Sequence, residues 1–475
     1  MTRTVNGSIS RIVKTGIIAT AAALAMATSA LASGLSATAQ GKLVDAGSNW
    51  AEAFATPDAR VPVIIDFRMP ALPDGASFAS DADRDEAHKA AVRAEQDRIL
   101  SGVLGGVEGI SSAQSSSEAN LKLMPFSPQF GLHATAAQLE AIAADRQVVR
   151  IHEDRVSAPL LNQSLGIVQM PTAYTSGATG SGWRVAVLDT GGRRTHEFLS
   201  TSISHAACFS TTGTGGGYES YSLCPGGVAS STDINSANDC DIATINGCGH
   251  GTHVAGTAAG FNTSPSSGEP ANGVARDAQI LSINVFSRFT PASCTAASYP
   301  ALSNGCALTW NTDQIAALNY VYGVRHTQRI AAVNMSLGGG QYSVACNDES
   351  RRPIIQALRN SGVATVVSAG NSGYDAAVGA PACIPEAVSV AASTKSTTIS
   401  NFTNWGNLVD VVAPGVAINA PYLSGSSNTY YAALNGTSMA APHVAGAFAA
   451  IRTRLPGATV DQIENALKAT GAAIT

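Results

Sequence analysis

Four short segments of the chain are apolar on both faces, and helical segments lie between them. The helical segments include residues 312–326 and 352–361. Strands that are apolar at nearly every position are typical of a parallel sheet covered by helices on both faces. The pattern therefore predicts an α/β domain around such a sheet, with buried strands at residues 184–188, 280–285, 330–335 and 363–367.

The chain before residue 160 has a different pattern, with shorter apolar runs and more charge. Thr135 and Gln138 have the spacing of a capping box, which predicts the start of a second helix there. The predicted order is strand, helix, strand, helix, strand, with room for one more strand before the second helix. It predicts a small α+β domain of the ferredoxin-like kind. Its predicted elements are a strand at 61–67, a helix at 81–100, a loop at 102–117, a strand at 121–126, a helix from Thr135 and a strand at 148–151.

The N-terminus has the pattern of a secretion signal. Arg3, Arg11 and Lys14 are followed by an apolar run over residues 17–32. Two A-x-A cleavage sites follow, at residues 30–32 and 37–39. We predict a signal peptide over residues 1–39 and a secreted protein, extracellular or periplasmic, that does not act at a membrane after signal removal. An uncleaved anchor is the alternative.

Charge and cysteine content narrow the class of protein. The net charge is −5, only 13% of residues are charged and 45% are apolar. This composition has no basic stripe, which argues against a nucleic-acid partner. An even cysteine set in an exported chain favours disulfides, and the absence of any C-x-x-C pair argues against zinc. Pairing between sequence neighbours is our hypothesis, with Cys294–Cys306 and Cys346–Cys383 favoured. The eight cysteines are Cys208, Cys224, Cys240, Cys248, Cys294, Cys306, Cys346 and Cys383.

Three segments contain the candidate catalytic residues. Asp189 directly follows the first predicted strand of the α/β domain, His250 opens a loop that enters a small-residue helix, and Ser438 opens another such helix. In parallel sheets, active groups collect at the carboxyl ends of the strands. A serine hydroxyl needs a base, imidazole can serve as that base near neutral pH, and a carboxylate fixes its tautomer.

Other interpretations of these residues are weaker. An aspartate after a strand is often a helix cap, which we would favour for Asp189 without the other two motifs. His253 shares a helix face with His250, but zinc proteases need H-E-x-x-H, so His253 and His443 are predicted to be structural. A lipase or esterase would need G-x-S-x-G, and Ala440 replaces the second glycine. Residues 213–217 lack the lysine of a phosphate loop.

The three segments, in the order Asp, His, Ser, resemble the signatures of the subtilisin-like serine proteases, the subtilases. The resemblance implies a secreted serine endopeptidase whose catalytic residues are Asp189, His250 and Ser438. Asn371, in the segment Ser-Ala-Gly-Asn-Ser-Gly, matches the side-chain donor of the family's oxyanion hole. The backbone N–H of Ser438 is implied as the second donor.

The same resemblance assigns substrate contacts. Residues 336–338 resemble the strand that pairs with the substrate backbone, and residues 368–370 resemble the wall of the primary specificity pocket. Glycine at position 379 implies a deep pocket that favours an apolar or aromatic side chain before the cut bond. The implied substrate-binding residues are Ser336, Leu337, Gly338, Ser368, Ala369, Gly370 and Gly379.

The N-terminal domain resembles the inhibitory propeptide of these proteases, which acts as a folding template and is then removed. We predict a propeptide over residues 40–158 and a peptidase domain over residues 159–475, with the junction between Asp154 and Ser164. The expected partners are protein or peptide substrates and the chain's own propeptide.

Two features depart from the family. An insertion runs from about Cys208 to Cys248, near the expected cleft, and the sequence assigns it no function. Phe198 stands where many subtilases have an acidic calcium ligand. We therefore predict no required cofactor and no metal ligands, and structural calcium stays open. The main alternative from another class is a catalytically silent member that acts as a binding protein.

Overall fold

The computed structural model describes residues 35–44, 60–69, 80–103, 120–154, 156–159, 168–265, 270–396, 398–472 and 474. The signal-like run, the A-x-A site at 30–32 and most of the predicted loop at 102–117 lie outside these residues. None of the described helices is long and apolar enough to cross a membrane.

The described N-terminal residues form one sheet with helices against it. Its four strands have the order β2-β3-β1-β4 and are antiparallel in the described pairs, as in a ferredoxin-like domain. The predicted helices and the strands β1 and β4 are confirmed, including the capping box of Thr135 and Gln138. The predicted strand at 121–126 is only two residues long, and the strand β3 takes its place. The elements are α1 Ala37–Gln40, β1 Val61–Phe67, α2 Asp81–Val103, β2 Lys122–Leu123, β3 Gln129–Ala134, α3 Ala136–Ala144 and β4 Val148–Glu153.

The rest of the described chain is built around a mostly parallel sheet, as predicted. Its order is β10-β7-β11-β6-β14-β16-β18-β19, and only the edge strand β10 is antiparallel to its neighbour. The four strands predicted from the apolar runs are β6, β11, β14 and β16. The strands of this sheet are β6 Arg184–Asp189, β7 Ile203–Phe209, β10 Ser230–Ser231, β11 Gln279–Asn284, β14 Ile330–Met335, β16 Ala364–Ser368, β18 Val388–Ser393 and β19 Val411–Pro414.

Helices cover both faces of this sheet. In β6, Val185 and Val187 pack in one core with α5 and α9, whereas Ala186 and Leu188 pack in the other core with α7 and α8. This division explains why the strands lack polar alternation, because each side chain enters one of two cores. The helices of this domain are α4 Met170–Thr175, α5 His250–Ala259, α6 Pro291–Ala296, α7 Asn311–Val324, α8 Arg352–Asn360, α9 Thr437–Arg454 and α10 Val460–Thr470.

A second sheet contains β5, a strand that lies within the predicted junction between Asp154 and Ser164. Its order is β17-β15-β5-β13-β12-β9-β8, so β5 lies between β15 and β13. Within the described residues, Pro159 pairs with Leu337 on one side, and Val156 pairs with Trp310 on the other. The strands are β5 Val156–Pro159, β8 Gly213–Gly215, β9 Tyr218–Ser222, β12 Ser287–Phe289, β13 Cys306–Trp310, β15 Leu337–Tyr342 and β17 Val378–Ala380; a separate hairpin joins β20 Ile418–Pro421 and β21 Tyr431–Leu434.

All eight cysteines lie in the described residues and are paired. The four disulfides join sequence neighbours, which confirms our pairing hypothesis, including Cys294–Cys306 and Cys346–Cys383. Two of the bridges close short loops within the insertion that runs from Cys208 to Cys248. The remaining pairs are Cys208–Cys224 and Cys240–Cys248.

Candidate active site

Asp189 is the last residue of β6, at the carboxyl edge of the main sheet. Its side chain is buried, and its Oδ1 accepts hydrogen bonds from the backbone N–H of Thr190 at 2.8 Å and from His250 Nδ1 at 2.6 Å. A carboxylate at this distance holds the imidazole with Nδ1 protonated, which leaves Nε2 as the base.

His250 is the first residue of α5, directly after Gly249. Gly249 has a φ of 90°, a conformation that favours glycine, and it turns the chain into the helix. Gly251 lies so close to the strand that a Cβ there would be 3.1 Å from the Asp189 Cβ. The glycines on both sides of His250 therefore bring its ring against Asp189.

Ser438 is the second residue of α9, and it is buried. Its Oγ donates to the carbonyl oxygen of Ser336 at 3.2 Å, and the Ser336 hydroxyl donates back to the Ser438 carbonyl at 2.6 Å. These bonds join the end of β14 to the start of α9. The helices α5 and α9 pack closely, since a Cβ at Gly446 would be 2.6 Å from the Ala258 carbonyl oxygen.

Asn371 lies beside the start of α9. Its Oδ1 accepts from the Thr437 backbone N–H at 2.8 Å and from the Thr437 hydroxyl at 2.9 Å. The two N–H donors of the Asn371 amide therefore point away from Thr437. The N–H of Ser438, at the second position of a helix, also has no acceptor within the helix. The Asn371 amide and the Ser438 N–H are thus both fixed at the start of α9.

A residue that the sequence analysis missed shapes the loop before Asn371. The Asn404 amide donates to the Ala369 carbonyl at 3.0 Å and its Oδ1 accepts from the Ser372 N–H at 2.9 Å. Gly370 has a φ of 110°, and a Cβ there would overlap the Asn404 amide nitrogen. Asn404 is 33 positions from Asn371 along the chain, and no local motif marks it.

The predicted substrate-binding residues fall on three neighbouring strand ends. Leu337 and Gly338 are in β15, and Gly379 is in β17. Ser368 is the last residue of β16, and Ala369 and Gly370 directly follow it. Strands β15 and β17 pair, with Gly339 opposite Ala380. A Cβ at Gly379 would be 3.3 Å from the Gly339 carbonyl oxygen, so a larger residue would narrow the space between these strands.

Asp239 is a second carboxylate beside the Asp189–His250 pair, and the sequence analysis did not find it. Its Oδ1 accepts from the Gly249 N–H at 2.9 Å and from the Thr190 hydroxyl at 3.2 Å, and its Oδ2 accepts from the Thr252 hydroxyl at 2.7 Å. The residues that follow Asp189 and flank His250 therefore all bind one carboxylate. Burial raises the pKa of Asp239 to about 6.

Asp239→Asn is expected to lower kcat about 10-fold with little change in KM, because an amide has one acceptor oxygen for these donors. The pH profile separates positioning from folding. In the wild type, Asp239 takes up a proton below about pH 6, so the acid limb of the log kcat profile is expected to include a step there. The Asp239→Asn variant is expected to lack that step, and the exposed Asp233→Asn control is expected to keep it. An Asp239→Asn profile with the same acid limb as the wild type would refute this role.

The described residues offer no convincing metal site. Asp239 lies near Cys240 and Cys248, but these cysteines are joined in a disulfide and supply no thiolate. His253 contacts the carbonyl oxygens of Ile418 and Ala432, and burial lowers its pKa to about 3. Phe198, at the position considered for calcium, is fully buried in apolar surroundings.

A carboxylate bonded to an imidazole, with a serine at the start of a neighbouring helix, is the arrangement of a serine hydrolase. A model of the subtilase family matches residues 180–473, and the chain belongs to that family. Alkaline protease from Alkalihalobacillus alcalophilus is 31% identical over 350 residues, which cover 73% of this chain and 75% of that protein.

Two further relatives share parts of the chain. Alkaline protease 1 from Aspergillus flavus is 39% identical over 202 residues, so the matched part spans only 42% of this chain and 42% of that relative. A solved protease structure from Pseudoalteromonas arctica is 28% identical, with a TM-score of 0.49, and the match covers 66% of this chain and 88% of that one.

Proposed function

We propose that this subtilase is a secreted serine endopeptidase, made as a zymogen that processes itself, with Asp189, His250 and Ser438 as its catalytic triad. One observation carries the proposal. The buried Asp189 carboxylate lies 2.6 Å from His250 Nδ1 at the carboxyl edge of the sheet. The helix α5, which begins at His250, packs on α9, whose second residue is Ser438.

In this mechanism, His250 Nε2 takes the proton of the Ser438 hydroxyl as Oγ attacks the peptide carbonyl. Asp189 stabilises the imidazolium ion that forms, and His250 then gives the proton to the leaving amine. A water molecule, activated by the same imidazole, releases the acyl group from Ser438. Every proton is moved by His250, so the chemistry needs no cofactor.

The carbonyl oxygen becomes an anion during the attack. In this proposal the Asn371 amide and the Ser438 N–H bind that oxygen. Both donors are fixed before substrate arrives, because the Asn371 Oδ1 is already bonded to Thr437. Donors that need no reorganisation stabilise a developing charge better than water does.

Asn371→Ala is expected to lower kcat about 10²–10³-fold with little change in KM, because the donor acts mainly in the transition state. Asn371→Asp is the sharper variant, since it keeps the oxygen that Thr437 binds and replaces the donor with a carboxylate oxygen, which repels the developing anion. Both variants are expected to keep the thermal stability of the wild type to within a few degrees. An aspartate variant that retains most of the wild-type kcat would rule out the oxyanion role.

Substrate is proposed to bind as a strand between β13 and β15. Strand β5 already pairs with both of them, which supports this position for an extended peptide. The residues before the cut bond would then run along Leu337 and Gly338, and the last side chain would enter the space beside Ala369 and Gly379.

The N-terminal domain is proposed to be the inhibitory propeptide. Strand β5 extends from that domain into the sheet that β15 and β13 form, and Asp189, His250 and Ser438 are all buried in the intact chain. Both observations support a cleft that the chain itself covers. The maturation bond is proposed to lie between Asp154 and Ser164.

The start of the propeptide is proposed to lie before residue 35 rather than at residue 40. Leu35 and Ala39 are buried in the core of the N-terminal domain, and the Ser36 hydroxyl donates to Glu140 at 2.7 Å. Cleavage at the A-x-A site at 37–39 would remove part of this core. The packing therefore favours the site at 30–32 for signal removal.

The function is tested by incubating the purified, processed protein with a denatured protein and with short peptide anilides. We expect internal peptide bonds to be cut and an initial burst of one anilide equivalent per enzyme. A zinc chelator such as 1,10-phenanthroline is expected to have no effect, and a serine reagent is expected to abolish cleavage. No turnover of any substrate would favour the catalytically silent binding protein.

A further inference from the structure

The insertion between Asp189 and His250 includes a hairpin of β8 and β9, which the Cys208–Cys224 disulfide closes at its base. Strand β9 pairs with β12, so the hairpin extends the sheet that holds β5. We call residues 211–222 the insertion hairpin. The described part of the N-terminal domain lies directly against it.

The two glycines of β8 lie directly against the N-terminal domain. A Cβ at Gly213 would overlap Asn120 Nδ2, and a Cβ at Gly215 would lie 2.9 Å from Pro62 Cγ. All of the closest atoms at these two positions belong to the N-terminal domain, including His133 Cε1 at 3.3 Å from Gly215. Neither glycine has a positive φ, so their own backbone does not require glycine. The requirement for small residues therefore comes from the docked domain.

The fit is reciprocal on the other side of the interface. Gly131 of β3 faces Thr312 so closely that a Cβ there would overlap the threonine methyl group. A Cβ at Gly323 of α7 would lie 3.0 Å from Phe126 Cε2. Each domain thus lacks a side chain where the other presents one.

Polar groups fix the register of this contact. His133 Nδ1 lies 3.2 Å from the Thr214 carbonyl oxygen of the insertion hairpin. Lys122 Nζ donates to the Thr211 hydroxyl and pairs with the Asp313 carboxylate, and the side chains of Lys122 and Asp313 are 14% and 1% exposed. A buried ion pair that loses one partner is costly, so a docked domain without Lys122 is strongly disfavoured.

We propose that the insertion hairpin is a docking surface that keeps this chain's own N-terminal domain bound as an inhibitor after the junction is cut. The surface selects a partner that presents a lysine at position 122 and leaves room for β8 at positions 62, 120 and 133. This inference rests on the proposed self-processing. It adds to it a surface that lies outside the substrate cleft.

The test uses the full chain and follows two quantities after self-cleavage. One is the co-elution of the cleaved N-terminal domain with the protease, and the other is the lag before a short peptide substrate is hydrolysed. Gly213→Ala is expected to release the domain and to shorten the lag at least about 10-fold, because its methyl group overlaps Asn120. Fully matured Gly213→Ala is expected to keep the wild-type kcat/KM, since the three atoms nearest to its Cβ all belong to the N-terminal domain, which is then absent.

A second substitution, in the N-terminal domain, allows two chains with identical mature proteases to be compared. Asn120 has a φ of 43°, so Asn120→Gly is tolerated by the backbone and removes the overlapping side chain. Adding Asn120→Gly to Gly213→Ala is expected to restore the lag to within about twofold of the Asn120→Gly single variant, as in a double-mutant cycle. The mature proteases from Gly213→Ala and from the double variant are identical, so any difference arises from docking. Gly457→Ala, in open space, is the control that keeps the wild-type lag.

An unchanged lag in Gly213→Ala, or a double variant that shows no rescue, would overturn the docking proposal. If both Gly213 variants fail to fold, Lys122→Met gives the answer, because the mature protease is unaltered and a wild-type lag would again overturn the proposal. Failure of the proposed function looks different. In that case the wild-type chain is never cut, and no lag exists to compare.

Discussion

Ser438→Ala, expressed alone for export, is expected to remain uncut at the junction, with the N-terminal domain still joined to the peptidase domain. Loss of the nucleophile lowers kcat about 10⁶-fold in an enzyme of this kind, which removes self-cleavage on any practical timescale. The fold is expected to be retained, because the Ser438 hydroxyl makes only one described hydrogen bond, to the Ser336 carbonyl. The measurement is the mass and the N-terminal sequence of the exported protein.

The wild-type chain is expected to yield a mature protein that begins between residues 155 and 164. Its processing rate is expected to be independent of protein concentration, because the junction and Ser438 belong to one molecule. If the alanine variant matures normally with no other protease present, self-processing is wrong. If neither form is processed, the N-terminal unit is a permanent domain and the binding-protein alternative gains support.

Asp189→Asn is expected to slow self-cleavage about 10⁴-fold, the second largest effect. The amide cannot stabilise the imidazolium ion, and it can hold His250 in the wrong tautomer through its N–H group. The hydrogen bond between Asp189 and His250 is 2.6 Å long and both side chains are buried, so no water molecule can enter between them to stabilise the imidazolium ion in place of the carboxylate. The rate is measured as the first-order conversion of the full chain, which avoids traces of active wild-type enzyme.

The matched control is Asp277→Asn, an exposed aspartate outside the site. It is expected to process at the wild-type rate. An Asp189→Asn chain that processes within tenfold of the wild type would remove Asp189 from the triad and return it to the role of a structural cap.

The sequence predicted the main sheet well because its strands are buried on both faces. Residues 185–188 and 330–333 are apolar at every position, as is typical of strands buried on both faces, and both segments are in strands in the structure. The helix that begins after Thr135 was predicted from a local capping box, and its signal did not depend on distant residues.

The missed elements depend on distant contacts. Strand β3 contains Gly131 in its middle and follows Pro125 and Pro128, so its local pattern does not favour a strand. Its glycine is explained by Thr312, which is 181 positions further along the chain. Gly213 and Gly215 of the insertion hairpin have the same kind of explanation, since the atoms nearest to them belong to the N-terminal domain.

The candidate site shows the same division between local and distant signals. Asp189, His250 and Ser438 lie in short, recognisable segments. Asp239 and Asn404 do not, because their roles depend on the backbone groups that folding brings to them. The spacing of Asp239 from His250 also includes the loop that the Cys240–Cys248 disulfide closes, which hides any relation between the two in the sequence.

The most direct test of the central claim is covalent labelling by a fluorophosphonate. The processed wild-type protein is treated with the reagent, digested and analysed by mass spectrometry. We predict one label per molecule on Ser438, with loss of activity in proportion to labelling. In His250→Ala the labelling rate is expected to be at least about 10³-fold lower than in the wild type, because the hydroxyl then lacks its base. An active protein that takes up no label at Ser438, or that is labelled at another serine as it loses activity, would contradict the account.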